Sequence, residues 1–292
     1  MTVVEARKIV TDFSEGVKNT EEDEFIFLEA FKFLIDEEHD PGDMMQLGGY
    51  YYEQRKFDLA LKYYEMAATF DYDPAYECLG YIWYYGRTGK KDFEKAYKYF
   101  SKLMEKGDLV ATYKVADMYK NGYFVEKSQE TYEEIIEDLY PKVKDLTNLF
   151  DPVPEVFTRL ARIRTEQGET EEAVNLYLYA KDFLAQRIGY NAFFGNLNIM
   201  KWLIDDLYEL IDFDEDYFDF FDMYYLLKTP NKVEFYYEDT KVSVYSEEDE
   251  AGCAVCANGK WYRSRDEFFA NIAVGDRKLT SVWRELYGFK LL

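Results

Sequence analysis

Few residues of this chain have the type and spacing that chemistry needs. Cys253-Ala254-Val255-Cys256 has the spacing of a redox dithiol or of half a zinc site. Zinc requires a second pair of ligands, and the only other Cys and His are Cys78 and His39. A redox pair wants a helix start after a strand, whereas this run reads as a hairpin strand, in which residues three apart face opposite sides. Both cysteines are therefore expected to be structural. Asp212-Phe213-Asp214-Glu215-Asp216 resembles the opening of a calcium loop, but Tyr217 falls where Gly must turn the chain and Met223 where a bidentate Glu must close the cage. An acidic cap on a helix over Tyr217 to Leu227 is the better expectation, because carboxylates favour a helix N-terminus. His39, flanked by Glu37, Glu38 and Asp40, reads as a solvated helix end. A Gly-rich phosphate loop, a nucleophile elbow and a metalloprotease His pair are all absent from the sequence. No catalytic residue, cofactor site or metal ligand is assigned, and the chain is not expected to be an enzyme.

What the sequence advertises instead is repetition. Leu47, Gly48, Ala60, Tyr64 and Ala67 recur at identical offsets as Leu160, Ala161, Ala173, Tyr177 and Ala180. Between them stand Leu79, Gly80, Ala96 and Phe100, with the Leu-to-Ala gap four residues longer. A small residue beside Leu lets one helix approach another, Ala does the same on the partner helix, and the aromatic fills the space alongside. Each such hairpin buries part of its apolar surface only by stacking on neighbours.

Leu-Gly, an aromatic four residues after the Leu, a Gly-rich bend and then Ala followed by aromatics resemble the tetratricopeptide superfamily. The longer copy is similar to its Sel-one-like branch, through Leu79, Gly80, Trp83, Gly86, Asp92, Lys95, Ala96, Tyr99 and Phe100. Val115, Ala116, Tyr119, Gly122 and Val125 begin a further copy, which decays at Tyr132, where Ala is expected. The resemblance covers roughly residues 43–185, with Glu24 to Asp40 as the second helix of a degenerate leading unit. It implies a mainly α fold, a right-handed α-solenoid of helical hairpins, that binds proteins and carries no catalytic residues. It also implies that the first helix of each hairpin lines the concave side, where Met45, Tyr52, Glu77, Tyr81, Tyr84, Tyr85, Tyr113, Asp117, Thr158 and Arg162 would be exposed. Tyrosines suit partner recognition. The competing reading is that aromatics at helical spacing fill core.

The elements that must position these residues follow from local signals. Val3 to Phe13 reads as a helix ending near Gly16, and Thr20 with Asp23 as a capping box opening a helix through Leu34 that Pro41 and Gly42 close. Bends fall at Asp73-Pro74, Gly107-Asp108, Asn121-Gly122, Asp151-Pro152 and Gly168. Leu197 to Ile211 and Tyr217 to Leu227 carry helical spacing and are expected to cap the stack. After Thr229-Pro230 the texture changes to alternation, Val233 to Tyr237 and Val242 to Tyr245, and Asn258-Gly259 marks a hairpin turn between Cys253 to Ala257 and Lys260 to Tyr262. Helices are expected at Asp266 to Ile272 and Leu279 to Leu286. The expected domains are N-terminal helices with the character of a degenerate repeat over 1–42, a solenoid with capping helices over 43–229, and a small α+β domain with a β-hairpin over 230–292.

With 48% hydrophobic and 19% aromatic residues the chain has ample core material. No run approaches the roughly 18 to 20 apolar residues of a membrane helix, and the start lacks a secretion signal. Three unevenly placed cysteines favour a reducing compartment, so a cytoplasmic location is expected; bacterial origin rests on the resemblance alone. Net charge is −23, and residues 230–292 hold 9 Lys and Arg against 11 Asp and Glu, so about −21 lies on residues 1–229. That field repels nucleic acid and attracts basic proteins or peptides. The expected function is a non-enzymatic scaffold holding a protein or peptide segment, basic in character, in an acidic groove lined by Tyr52, Glu77, Tyr81, Tyr84, Tyr85, Tyr113 and Asp117. The alternative is a self-associating structural protein forming homo-oligomers, and a third reading is an enzyme acting through the C-terminal domain. Neither nucleic acid nor membrane is expected as a partner.

Overall fold

The computed structural model describes all residues except 18–19 and 250–251. The chain divides into two compact units, Met1–Ile135 and Ile136–Leu292.

The first unit is built from helical hairpins. In chain order the helices are α1 (Val3–Ser14), α2 (Glu21–Glu38), α3 (Pro41–Glu53), α4 (Phe57–Ala68), α5 (Asp73–Tyr85), α6 (Phe93–Glu105) and α7 (Leu109–Asn121), followed by α8 (Gln129–Val143). Thr2 with Glu5 and Thr20 with Asp23 form the capping boxes that open α1 and α2, each satisfying backbone N–H groups left orphaned at a helix start. Pro41 does not close α2. The chain turns at His39, in the left-handed region at φ 52°, and Pro41 is the first residue of α3, where its missing N–H is not needed.

The repeat residues meet as their spacing requires. Leu47, Ala60 and Ala67 are fully buried, as are Leu79 and Ala96. A Cβ on Gly48 would lie 2.5 Å from the Tyr64 ring, and one on Gly80 would lie 2.5 Å from the Phe100 ring. In both hairpins the glycine on the first helix is the seat of the aromatic on the second. The four extra residues of the α5–α6 hairpin form the loop 86–92, closed by Asp92 N–H donating to the Trp83 carbonyl at 3.0 Å. The α7–α8 connection repeats that loop, with Ser128 N–H donating to the Tyr119 carbonyl at 3.0 Å. Gly86 and Gly122 end α5 and α7 at φ 66° and 67°. Here a side chain is excluded on two counts, since a Cβ on Gly86 would also sit 2.8 Å from the Lys91 nitrogen. Tyr132 is buried in α8, so this copy keeps the hairpin and changes the residue that fills it.

The second unit begins within α8 and contains the last hairpin, α9 (Val153–Glu166) and α10 (Thr170–Tyr190), in which Leu160, Ala161, Ala173, Tyr177 and Ala180 are all buried. The buried Arg187 ties it together, donating to Glu155 at 2.7 Å and to the carbonyls of Leu149 and Asp151. Helix α11 (Phe194–Leu210) packs on α10, and a single turn, α12 (Met223–Leu226), follows. Next come strands β1 (Lys232–Tyr237), β2 (Thr240–Asp249), β3 (Gly252–Ala257) and β4 (Lys260–Tyr262), helix α13 (Arg265–Asn271), the short pair β5 (Ala273–Val274) and β6 (Arg277–Lys278), and β7 (Leu286–Leu291). The antiparallel sheet has the order β4-β3-β2-β1-β7. Its β3–β4 turn is Asn258-Gly259, with φ 48° and 84°, the primed geometry that the strand twist prefers. Phe220, Phe221, Phe235, Phe268 and Phe269 are fully buried and form the core beneath the sheet.

Two expected helices are replaced. Tyr217 to Leu227 is not a helix beyond the turn of α12, and its acidic leader caps nothing of that length. Asp219 accepts from the backbone N–H of Phe221 and Asp222, and Lys181 on α10 holds both Asp219 (2.9 Å) and Asp222 (2.6 Å). Tertiary ion pairing thus outcompetes helical propensity there. Leu279 to Leu286 gives two 3₁₀ turns, Leu279–Ser281 and Trp283–Glu285, because the chain must reach the open edge of β1 and pair as β7.

Candidate protein-binding surface

Helices α5 and α7 bring together most of the expected site residues. Glu77, Tyr81, Tyr84 and Tyr85 stand at i, i+4, i+7 and i+8 on α5, and Tyr113 and Asp117 stand one turn apart on α7. Tyr81 stacks on Tyr85 with centroids 6.0 Å apart, and Tyr84 meets Tyr85 edge-on at 5.1 Å. Beneath them Tyr81 and Tyr84 rest on Phe100 of α6, and Tyr84 also contacts Phe93 and Tyr123, which stack at 4.1 Å. Tyr113 is buried rather than exposed, whereas Tyr85 is 44% exposed at the outer edge.

The centre of the cluster is a residue that sequence reasoning passed over, Lys114. Its ammonium lies 5.4, 5.4, 5.6 and 5.1 Å from the ring centroids of Tyr81, Tyr84, Tyr85 and Tyr113, and it donates to the Tyr85 hydroxyl at 3.2 Å. The residue is only 7% exposed, so the rings and that one hydroxyl replace much of its hydration. A signal for it exists: Lys114 directly precedes Val115, as Cys78 precedes Leu79. That position points back towards the preceding hairpin, where Cys78 meets Tyr64 and burial pushes its thiol up to about 12. At this register Lys114 faces the preceding hairpin, where it meets the α5 tyrosines.

Glu77 borders the cluster. Burial raises its carboxyl above the usual range, the charge of Asp108 adds to that, and Lys114 opposes it. Asp117 lies one turn beyond Tyr113, and its backbone carbonyl accepts from Asn121 at 2.7 Å. Arg87 lies over the Tyr85 ring at 5.0 Å. Tyr52 is not part of this assembly; on α3 it packs edge-on against Phe57 at 5.2 Å. Of the remaining first-helix positions, Met45 packs against the first core. Thr158 is buried with its hydroxyl donating to the Pro154 carbonyl, and Arg162 pairs with Asp206 at 2.6 Å.

The chemically suggestive motifs have ordinary surroundings. Cys256 is buried in β3 opposite Tyr245 and Trp261, while Cys253 pairs in register with Glu248. Among the described residues no group of His, Cys, Asp and Glu is arranged to hold a metal ion, and no helix is long and apolar enough to cross a membrane.

Stacked hairpins with glycine-seated aromatics and long Gly-capped loops define a helical-repeat fold. A solved structure agrees at the level of fold. A Sel1 repeat protein from Oxalobacter formigenes superposes with a TM-score of 0.51 at 20% identity, over 70% of this chain and 75% of that one. The uropathogenic Escherichia coli protective antigen c5321, described as displaying an SLR fold, gives 0.48 at 16% identity, over 74% and 51%. No family model and no curated protein matches the sequence.

Proposed function

We propose that this chain is a cytoplasmic, non-enzymatic scaffold that binds an extended, basic segment of another protein across α5 and α7 of its first unit. The observation that carries the reading is the tyrosine cluster itself. Four tyrosines, at positions where a core needs only apolar rings, are gathered at one face with a half-exposed member and with carboxylates, Glu77 and Asp117, on the same helices. Rigid aromatic rings give contact area at low entropic cost, and their hydroxyls reach polar groups of a partner. Lys114 fills the middle of the rings, so a partner's cation would meet the carboxylates beside them, drawn by the net charge of the chain.

The test is capture from cytosol of the native source by the wild-type chain and by a Tyr85→Ala/Glu77→Gln/Asp117→Asn variant, with circular dichroism to verify folding. A protein retained by the wild type, released by salt and lost by the variant supports the reading. Equal retention by the folded variant overturns the placement of the site on α5 and α7. Self-association is a second reading, favoured by a cationic cavity and an acidic aromatic loop at opposite ends of α11.

A further inference from the structure

The corner between α10 and α11 exposes an unusual amount of aromatic surface. Phe150, Tyr190, Phe193 and Phe194 are each more than half exposed, with Phe150 edge-on to Tyr190 at 5.7 Å and Phe193 against Phe194 at 4.3 Å. Exposed aromatic surface of this amount marks an interaction site. Beside Tyr190 a cavity of about 380 Å³ opens between the end of α10 and segment 276–281. Thr280, which is 1% exposed, lines it. Arg277 and Lys278 also line it, beside Asp276; neither cation is in an ion pair among the described residues, and the Lys278 ammonium reaches only the Ala270 carbonyl at 3.1 Å.

Such a cavity fits an aromatic side chain that ends in a hydroxyl and is flanked by carboxylates. The chain itself carries one. Tyr217 is 88% exposed and follows Asp212, Asp214, Glu215 and Asp216, all exposed and none in an ion pair among the described residues. This loop leaves the C-terminal end of α11, whereas the cavity adjoins its N-terminal end. The 17 residues of α11 span about 25 Å at a helical rise of 1.5 Å per residue, and Phe213, packed against Tyr208 and Tyr225, holds the loop at the far end, away from the cavity of its own chain.

We propose that this face is a homodimer interface in which two copies of α11 lie antiparallel about a twofold axis, each placing Tyr217 in the other's cavity and its acidic loop against Arg277 and Lys278. The antiparallel arrangement is the one that brings the acidic end of each helix to the cationic end of its mate, and a twofold contact must be self-complementary in this way. Trp202, the middle residue of α11, is 52% exposed and falls on the axis, where it packs against its counterpart. The inference rests on the second unit alone and is independent of the α5–α7 reading.

Sedimentation equilibrium of the full chain tests it. The wild type is expected to be a dimer, and Tyr217→Ala and Trp202→Glu each to raise its dissociation constant by about 30-fold or more, as loss of a central aromatic does. The decisive pair is Asp212→Lys/Asp214→Lys/Glu215→Lys/Asp216→Lys and Arg277→Glu/Lys278→Glu. Each alone sets like charges together and is expected to be monomeric; mixed in equal amounts, they make both contacts complementary again and restore the dimer. A wild type that stays monomeric over the accessible concentrations overturns the proposal. So does a dimer that both reversals leave intact, or a mixture of variants, folded by circular dichroism, that remains monomeric.

Discussion

At the scale of single residues, the first unit holds charges in places where their protonation can be read. Glu77 has its carboxyl raised, by burial first and by Asp108 second. A carboxyl with a folded-state value above its unfolded one contributes stability below the ordinary carboxylate range, and that contribution is lost as pH rises through the raised value. Glu77→Gln is therefore expected to flatten the dependence of the urea midpoint on pH above the ordinary carboxyl value of 4.5, and to be the more stable form once the Glu77 carboxyl ionises. An unchanged slope would mean that Lys114 already compensates the buried charge. Asp71 works in the opposite sense. Lys102 at 2.6 Å and the Tyr76 hydroxyl at 2.9 Å hold it at about 2, below its ordinary 3.8. Its contribution is present above 3.8 and is lost as pH falls through about 2, so Asp71→Asn removes that part of the acid limb. For Lys114 the expected effect is larger, because its ammonium is buried among rings: Lys114→Ala costs about 2 kcal/mol of unfolding free energy, the range of a desolvated cation–π contact. A double-mutant cycle with Tyr85→Phe separates the ring contribution from the hydroxyl hydrogen bond.

At the scale of elements, the repeat hairpins make a sharper demand. Gly48→Ala and Gly80→Ala each drive a methyl group into an aromatic ring 2.5 Å away and are expected to cost about 1–3 kcal/mol, the usual penalty of overpacking. Gly49 is the control on the same helix, since its nearest neighbour is the Tyr64 hydroxyl at 4.0 Å; Gly49→Ala is expected to stabilise by about 0.5–1 kcal/mol through helix propensity. Equal effects at Gly48 and Gly49 in chemical denaturation would reject the glycine-seat account of the repeat. This is also the part of the fold that was legible beforehand, because Leu47-Gly48 with Tyr64 and Leu79-Gly80 with Phe100 state a local contact in residue types and spacing alone. The β3–β4 hairpin was legible for the same reason, through Asn258-Gly259. What was illegible depends on partners distant in sequence. Asp219 and Asp222 read as helix until Lys181, on α10, is brought to both of them. Leu286 reads as the last residue of a helix until β1 offers a free edge to Leu286–Leu291, although the alternation Tyr287, Phe289, Leu291 was a signal for a strand. Among site residues, α5 could be read as one face from spacing, but Lys114 required the register between successive hairpins.

At the scale of the whole molecule, the net charge of −23 couples fold and association through one variable, ionic strength. Like charges spread over a compact surface repel, and that repulsion is felt over about 30 Å at 0.01 M salt but only about 10 Å at 0.1 M. Added salt is therefore expected to raise the thermal midpoint, by a few degrees for each kcal/mol of repulsion screened. The same screening acts against the contacts proposed for this chain, because a basic segment at α5–α7 and the acidic loop at Arg277 are each attracted across opposite charges. The expected result is an opposition: from about 0.01 to about 0.3 M sodium chloride the fold becomes more stable while partner binding and the dimer weaken. If the midpoint instead falls together with the association constants, specific ion pairs such as Lys181 with Asp219 and Asp222, and Arg164 with Glu137, outweigh the general repulsion. If association strengthens with salt, the aromatic surfaces alone hold the partners and the charged rims are incidental, a result that would leave Tyr85 and Trp202 as the anchors and remove Glu77 and Arg277 from both sites.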